Sequence, residues 1–224
     1  MFAPGVSLAA AQPWVRWSWV VDHRDDIFER LMQHVVLTAL AVGIGLAIAL
    51  PVGILCHRVR RVYAPVLVVT GVLYSIPSLA LLALLIPFTG LSTTTAEIVL
   101  VGYTLLVLVR NIVTGLDNVP LDVTHAADGM GYGRARRLVA LELPLALPAI
   151  VAGVRIAAVT TVGLVTVTAL IGQGGLGQLI YDGLLRDFRT PLVVGTVLAV
   201  GLATVIDVVL AGLQRLLMPW SRGA

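Results

Sequence analysis

The sequence predicts an all-α, polytopic membrane protein with five transmembrane helices, its N-terminus outside and its C-terminus inside. Three observations carry that reading. Of 224 residues, 58% are hydrophobic and only 12% charged, against roughly 45 to 50% and about 25% in soluble domains. The mean hydropathy is +0.99. Charge-free runs long enough to cross a bilayer alternate with short arginine clusters. All 15 basic residues are arginine, which removes Schiff-base chemistry and any nucleotide site built on a P-loop lysine. The one cysteine, Cys56, cannot close an internal disulfide, and His23, His34, His57 and His125 are too scattered for a zinc spacing. No metal site and no cofactor is therefore expected in this chain. The arginines sit beside apolar runs instead of along one face, so they read as membrane topology and not as a nucleic-acid surface.

Residues 35–56 carry no charge and as a helix cover about 33 Å, enough for the hydrocarbon core. The cluster His57-Arg58-Val59-Arg60-Arg61 follows, and the positive-inside rule places it in the cytoplasm. The next charge-free run, Val62 to Ala96, contains Pro65, Pro77 and Pro87. If it crossed twice, Arg110, Arg134, Arg136 and Arg137 would fall outside. It is read as one kinked span, 62–88. The third, fourth and fifth spans are 93–112, 149–171 and 190–214, so the membrane domain occupies 31–214. Residues 1–30 form an extracytoplasmic segment and 215–224 a cytoplasmic tail containing Arg222. The 2–11 run lacks a basic n-region and is not read as a cleaved signal. Trp14, Trp17 and Trp19 suit an aromatic anchor at the outer interface.

Residues 115–148 form the one long polar interruption and the surface a cytoplasmic partner could meet. Ala126 and Ala127 favour a short helix, Gly129 and Gly131 break it, and residues 134–141 suit a second helix, which Pro144 and Pro148 are expected to end. The segment reads His125-Ala126-Ala127, three residues, Gly131, nine residues, Leu141-Glu142-Leu143-Pro144. In this spacing it resembles the permease subunits of ATP-binding-cassette importers, whose cytoplasmic loop carries Glu-Ala-Ala, three residues, Gly, nine residues, Ile, any residue, Leu-Pro. The resemblance implies that His125, Ala126, Ala127, Asp128, Gly129, Gly131, Leu141, Leu143 and Pro144 form a coupling loop docked on a separate ATPase. His125 stands where the family has Glu, and Leu141 where it has Ile. The first difference replaces an anion by an imidazole.

Four further segments, Ile76-Pro77-Ser78-Leu79-Ala80-Leu81-Leu82, Val109-Arg110-Asn111-Ile112-Val113-Thr114-Gly115-Leu116, Leu143-Pro144-Leu145-Ala146-Leu147-Pro148 and Ile171-Gly172-Gln173-Gly174-Gly175-Leu176-Gly177, resemble the importers of glycine betaine, carnitine and choline. Methionine importers share the loop motif and the Gly-Gly-Leu-Gly run and form the alternative. The resemblance implies a bacterial-type cytoplasmic membrane, two ATPase subunits that hold ATP and magnesium, an extracytoplasmic binding protein, and a second permease chain, identical or paralogous. The rival class, a channel or secondary carrier working without an ATPase, is expected to show internal repeats and ionisable residues at the membrane midplane, and neither is evident.

The Gly172–Gly177 run also satisfies the G-x-G-x-x-G dinucleotide fingerprint, but no strand precedes it and the topology puts it outside. A turn with close backbone approach fits instead, Gly174 and Gly175 forming either a gate at the outer mouth or a plain loop. Thr161 and Thr168 share a helix face and either line the pathway or pack helices. Ala39, Ala41, Gly43, Gly45 and Ala49 give small-residue pairs suited to helix packing. No Ser/His/Asp set or acidic pair recurs at workable spacing, so the chain is not read as an enzyme. Arg155 and Asp207 lie at equal depth on neighbouring antiparallel spans. Each would cost roughly 2.5 to 3.5 kcal/mol facing lipid, so they either pair with one another or part, the arginine snorkelling to the headgroups.

Overall fold

The computed structural model describes residues 13–218. The 2–11 run and most of the tail, Arg222 included, lie outside the described residues. Every regular element among the described residues is a helix. Four helices are long and apolar enough to cross a membrane, or five crossings if one sharply bent pair counts as a span.

The short α1 (Trp17–Asp22) leads into α2 (Arg24–Arg58). At 35 residues, α2 is about 52 Å long and outruns the bilayer. Its first turn carries Asp25 and Asp26, where acidic groups suit a helix N-terminus. It packs lengthwise on α5 (Thr93–Asp117). Apolar lipid gives no hydrophobic drive for such pairing, so close backbone approach through small residues supplies it. A Cβ on Gly45 would fall 2.0 Å from Thr104 Oγ1, and one on Gly53 would fall 2.5 Å from Ile112 Cγ2. Both contacts have the same offset along the chain, so α2 and α5 run parallel.

Both helices end at an arginine-rich pole. There His57 Nδ1 donates to Asp117 Oδ1 at 2.6 Å, and Arg60 Nη2 lies 2.7 Å from the same oxygen. At the opposite pole the Thr93 hydroxyl donates to Gln173 Oε1 at 2.9 Å. The chain between α2 and α5 must therefore travel from the first pole to the second. It does so as α3 (Arg60–Ser75) and α4 (Ser78–Thr89), which meet at 93°. The expected kinked span is thus two helices with a sharp break. Pro77 offers no N–H and forces Ile76 out of the helical region, to φ −67° and ψ 128°. Pro65 and Pro87, by contrast, are carried inside helices. The freed Ile76 carbonyl is taken by the Tyr103 hydroxyl of α5.

After α5 come α6 (Leu121–Gly129) and α7 (Arg134–Arg137). Here the expectation that Pro144 and Pro148 would end the second loop helix is corrected. α7 runs on through a π-helical turn, Leu138–Glu142, into α8 (Leu143–Val167), and a 3₁₀ turn, Thr168–Ile171, follows. The wider π turn makes room where the Pro144 ring and its missing donor would disrupt a regular ladder. The fourth span and the loop thus share one helix of 38 residues.

The sequence reading missed α9 (Leu176–Leu185), which precedes α10 (Arg189–Leu217). The core lies where α2, α5 and α8 meet, with Ala49, Cys56, Leu108, Ile112, Ile150 and Ala157 buried together. α10 packs on α8 and α9 at the edge and keeps most of its surface uncovered. Among the tryptophans, Trp14 lies beneath Arg189, 5.0 Å from the ring centroid, and Trp19 meets Phe188 edge to face. They fasten the N-terminal segment to the start of α10.

Candidate functional site

The loop between α5 and α8 folds into a knob at the arginine-rich pole. α6 ends because Gly131 takes φ +79°, a left-handed conformation that costs glycine little. Tyr132 N–H donates to the Ala127 carbonyl and Gly131 N–H to the Asp128 carbonyl, both at 3.0 Å. These two bonds form a Schellman motif.

Arg137 then locks the knob. Its Nη1 donates to both Asp128 carboxylate oxygens, at 2.7 and 2.6 Å, and its Nε donates to Glu142 Oε1 at 2.7 Å. Glu142 is buried, and the guanidinium offsets the cost of holding its carboxylate away from water. Arg58 Nη2 reaches the Arg134 carbonyl at 3.3 Å and ties the knob to the end of α2. Arg136 lies over the Tyr132 ring at 4.3 Å. Of the residues singled out in the loop, Ala127 is buried and Leu141, Leu143 and Pro144 are half-buried. His125, Ala126, Asp128, Gly129 and Gly131 are exposed. Leu121 and Met130 remain 71% and 67% exposed at the two ends of α6. These two apolar side chains stand uncovered on an otherwise polar knob.

At the opposite pole the glycine run is packed into the bundle. A Cβ on Gly174 would fall 2.4 Å from Ala169 Cα, and Gly175, at φ +51°, lies against the backbone of His34. The close approach read from the sequence is present. His34, which the sequence reading did not single out here, holds this pole together. Its Nδ1 accepts from Leu176 N–H at 3.3 Å, which leaves Nε2 to donate to the Val162 carbonyl at 3.0 Å. One imidazole therefore joins α2, α8 and the start of α9.

Thr161 and Thr168 are both buried, and their hydroxyls bond back to the Ala157 and Val165 carbonyls. Thr160 of α8 and Thr204 of α10 instead line a groove of about 730 Å³ between these helices. For Thr204 the one sequence signal was its place three residues, about one helical turn, before Asp207, whereas Thr160, five residues after Arg155, had none. The same groove brings those two charges together. Arg155 Nε donates to Asp207 Oδ1 at 2.9 Å and Nη2 to Oδ2 at 3.1 Å. Among the described residues no cluster of His, Cys, Asp and Glu is placed to hold a metal.

The chain is similar to known proteins along nearly its whole length. It is 36% identical to the osmoprotectant import permease protein OsmW of Salmonella typhimurium over 90% of this chain and 96% of the relative. It is 38% identical to the carnitine transport permease protein OpuCB of Listeria monocytogenes over 87% and 89%. It is 32% identical to the choline transport system permease protein OpuBB of Bacillus subtilis over the same shares. Among solved structures, a chain of the MetNI methionine ABC transporter in inward-facing conformations superposes with a TM-score of 0.76 at 26% identity. That match covers 84% of this chain and 94% of the other. A family model, "binding-protein-dependent transport system inner membrane component", matches residues 34–222. With four long apolar helices and a bent pair able to make a fifth crossing, a locked knob at one pole and these relatives along its length, the chain belongs to the family of binding-protein-dependent transport system inner membrane components.

Proposed function

We propose that this chain is the membrane-spanning subunit of an ATP-driven importer for quaternary-ammonium osmolytes such as glycine betaine, carnitine and choline. The observation that carries the reading is the knob. It is a short helix fixed by Gly131 and Arg137 at the arginine-rich pole, with apolar residues left uncovered at its ends. On this reading the pole faces the cytoplasm, as the positive-inside rule asks, and the protein sits N-out and C-in in a bacterial cytoplasmic membrane. Residues 121–131 dock in a groove of a separate ATPase subunit. ATP and magnesium bind there, so the chain has no ATPase site of its own. Two permease chains, identical or paralogous, pair above two ATPase subunits, and an extracytoplasmic binding protein delivers solute to the glycine pole. His125, exposed on α6, meets the ATPase with an imidazole where the family pattern has a carboxylate.

The similarity to the methionine transporter chain supports a second reading, a methionine-type amino-acid importer. The higher identities to osmoprotectant, carnitine and choline permeases favour the first. The test is co-expression with the neighbouring ATPase and binding-protein genes, purification of the complex, and uptake of labelled betaine, choline and methionine into proteoliposomes. ATP-dependent uptake of an onium solute with no methionine uptake is expected. Methionine uptake alone would overturn the osmolyte reading, and uptake without any ATPase would overturn the coupling.

A further inference from the structure

The ion pair of the α8–α10 groove is not sealed inside the bundle. The Arg155 and Asp207 side chains stay 30% and 42% exposed, and beside them Thr204 is exposed and Thr160 half-buried. On α10 the positions Val200, Thr204, Asp207 and Gln214 follow one helix face, and on α8 Ala152, Arg155 and Val159 do the same, with Thr160 lining the groove at the edge of that face. Charges at this depth of a span face a water-filled space or another protein group, not lipid. Elsewhere α10 meets its surroundings with Val197, Val205 and Val209, residues suited to acyl chains.

The chemistry of the groove is narrow. Both threonine hydroxyls already donate to carbonyls of their own helices, Thr160 to Ile156 at 2.7 Å and Thr204 to Val200 at 2.8 Å. The strong groups left are therefore one guanidinium and one carboxylate, side by side. Gln214 Oε1 accepts from Arg155 Nη1 at 3.5 Å and steadies the arginine without neutralising it. A solute with a single charge would satisfy one partner and strand the other. A solute carrying both charges a few bonds apart replaces both halves of the pair at once. Its carboxylate takes the two N–H donors that Asp207 now occupies, in the two-pronged geometry guanidinium groups favour. The count of opposite-charge contacts is then conserved on entry and exit.

We propose that this groove is a transit site for a zwitterionic solute, whose carboxylate is received by Arg155 and whose cationic head is received by Asp207, the resident pair re-forming on release. The proposal rests on the osmolyte reading and deepens it. A betaine-type zwitterion suits the groove, whereas choline, which has no carboxylate, uses Asp207 alone.

Two measurements on the assembled transporter test it. In the first, Arg155→Gln is expected to lower betaine uptake at least tenfold and choline uptake less than threefold. Equal losses for both solutes, or no loss of betaine uptake, would overturn the transit site while leaving the osmolyte reading intact. A wild-type complex that takes up neither solute would instead overturn the osmolyte reading. The second measurement keeps the native pair, so it holds even where Arg155→Gln fails to assemble. Thr160→Cys and Thr204→Cys are placed in a Cys56→Ser background and treated with a membrane-impermeant, positively charged methanethiosulfonate reagent. Both cysteines are expected to react, and betaine is expected to slow the reaction severalfold more than choline. Unreactive cysteines, or reactivity that betaine leaves unchanged, would overturn the proposal.

Discussion

Gly131 holds the end of α6 at φ +79°, and an added Cβ would meet nothing within 4 Å. The cost of replacing it is therefore conformational and not steric. A left-handed residue with a side chain costs roughly 1 to 2 kcal/mol, about tenfold in the population of the correct turn. Gly131→Ala and Gly131→Leu should thus impair ATP-driven uptake to a similar degree, while Gly131→Asn, whose side chain tolerates that region, should impair it least. Insertion into the membrane should survive in all three. Wild-type uptake by the Leu variant would remove the knob from the coupling path. His34 shows what residue chemistry alone does not reveal. In sequence it is a histidine at the edge of an apolar run, and its two partners, Leu176 and Val162, lie far along the chain.

Between elements the most informative contact is the pairing of α8 and α10 through Arg155 and Asp207. Because the pair is partly exposed, its strength is discounted below that of a sealed pair. Even so, removing one partner leaves the other facing a largely apolar wall. Arg155→Ala and Asp207→Ala should each lower the unfolding temperature of the detergent-solubilised chain. The double variant should fall short of the sum by about 1 kcal/mol, within the range for residues in contact. Strict additivity would mean that the two helices do not use the pair. That both charges share one depth was legible in the sequence, since it follows from counting residues along two antiparallel spans. Also legible were the positions of the long helices and the turn at Gly131, because apolar run length and glycine placement are local signals. The Arg137 clamp was not. Its partner Glu142 lies five residues on, a spacing that only a π turn brings together, and the i,i+4 rule for helical pairs passes over it. α9 escaped for a similar reason, since a ten-residue helix between a glycine run and an arginine cluster has neither span length nor a clear start signal. The break at Pro77 was visible as a proline, but Pro65 and Pro87 looked no different, and only the surrounding packing decides which proline bends the chain.

For the whole molecule, the two poles make an orientation test direct. Gly174 is a poor place for a reporter cysteine, because its Cβ would strike Ala169. Arg186, exposed after α9, serves better, with Gly133 in the knob region as its counterpart. In a Cys56→Ser background, Gly133→Cys should label with an impermeant maleimide only in inverted vesicles, and Arg186→Cys only in intact cells. Labelling of both from one side would overturn the topology. The unbroken helix from Arg134 to Ile171 has a further mechanical consequence. At about 57 Å it joins the knob to the glycine run as a single connecting rod, with no hinge loop at either proline. A rod of that length turns a tilt of one degree at the knob into a sweep of about 1 Å at its far end. The glycine pole, where backbones already touch closely enough to exclude a methyl group, is where so small a sweep is enough to separate surfaces in contact.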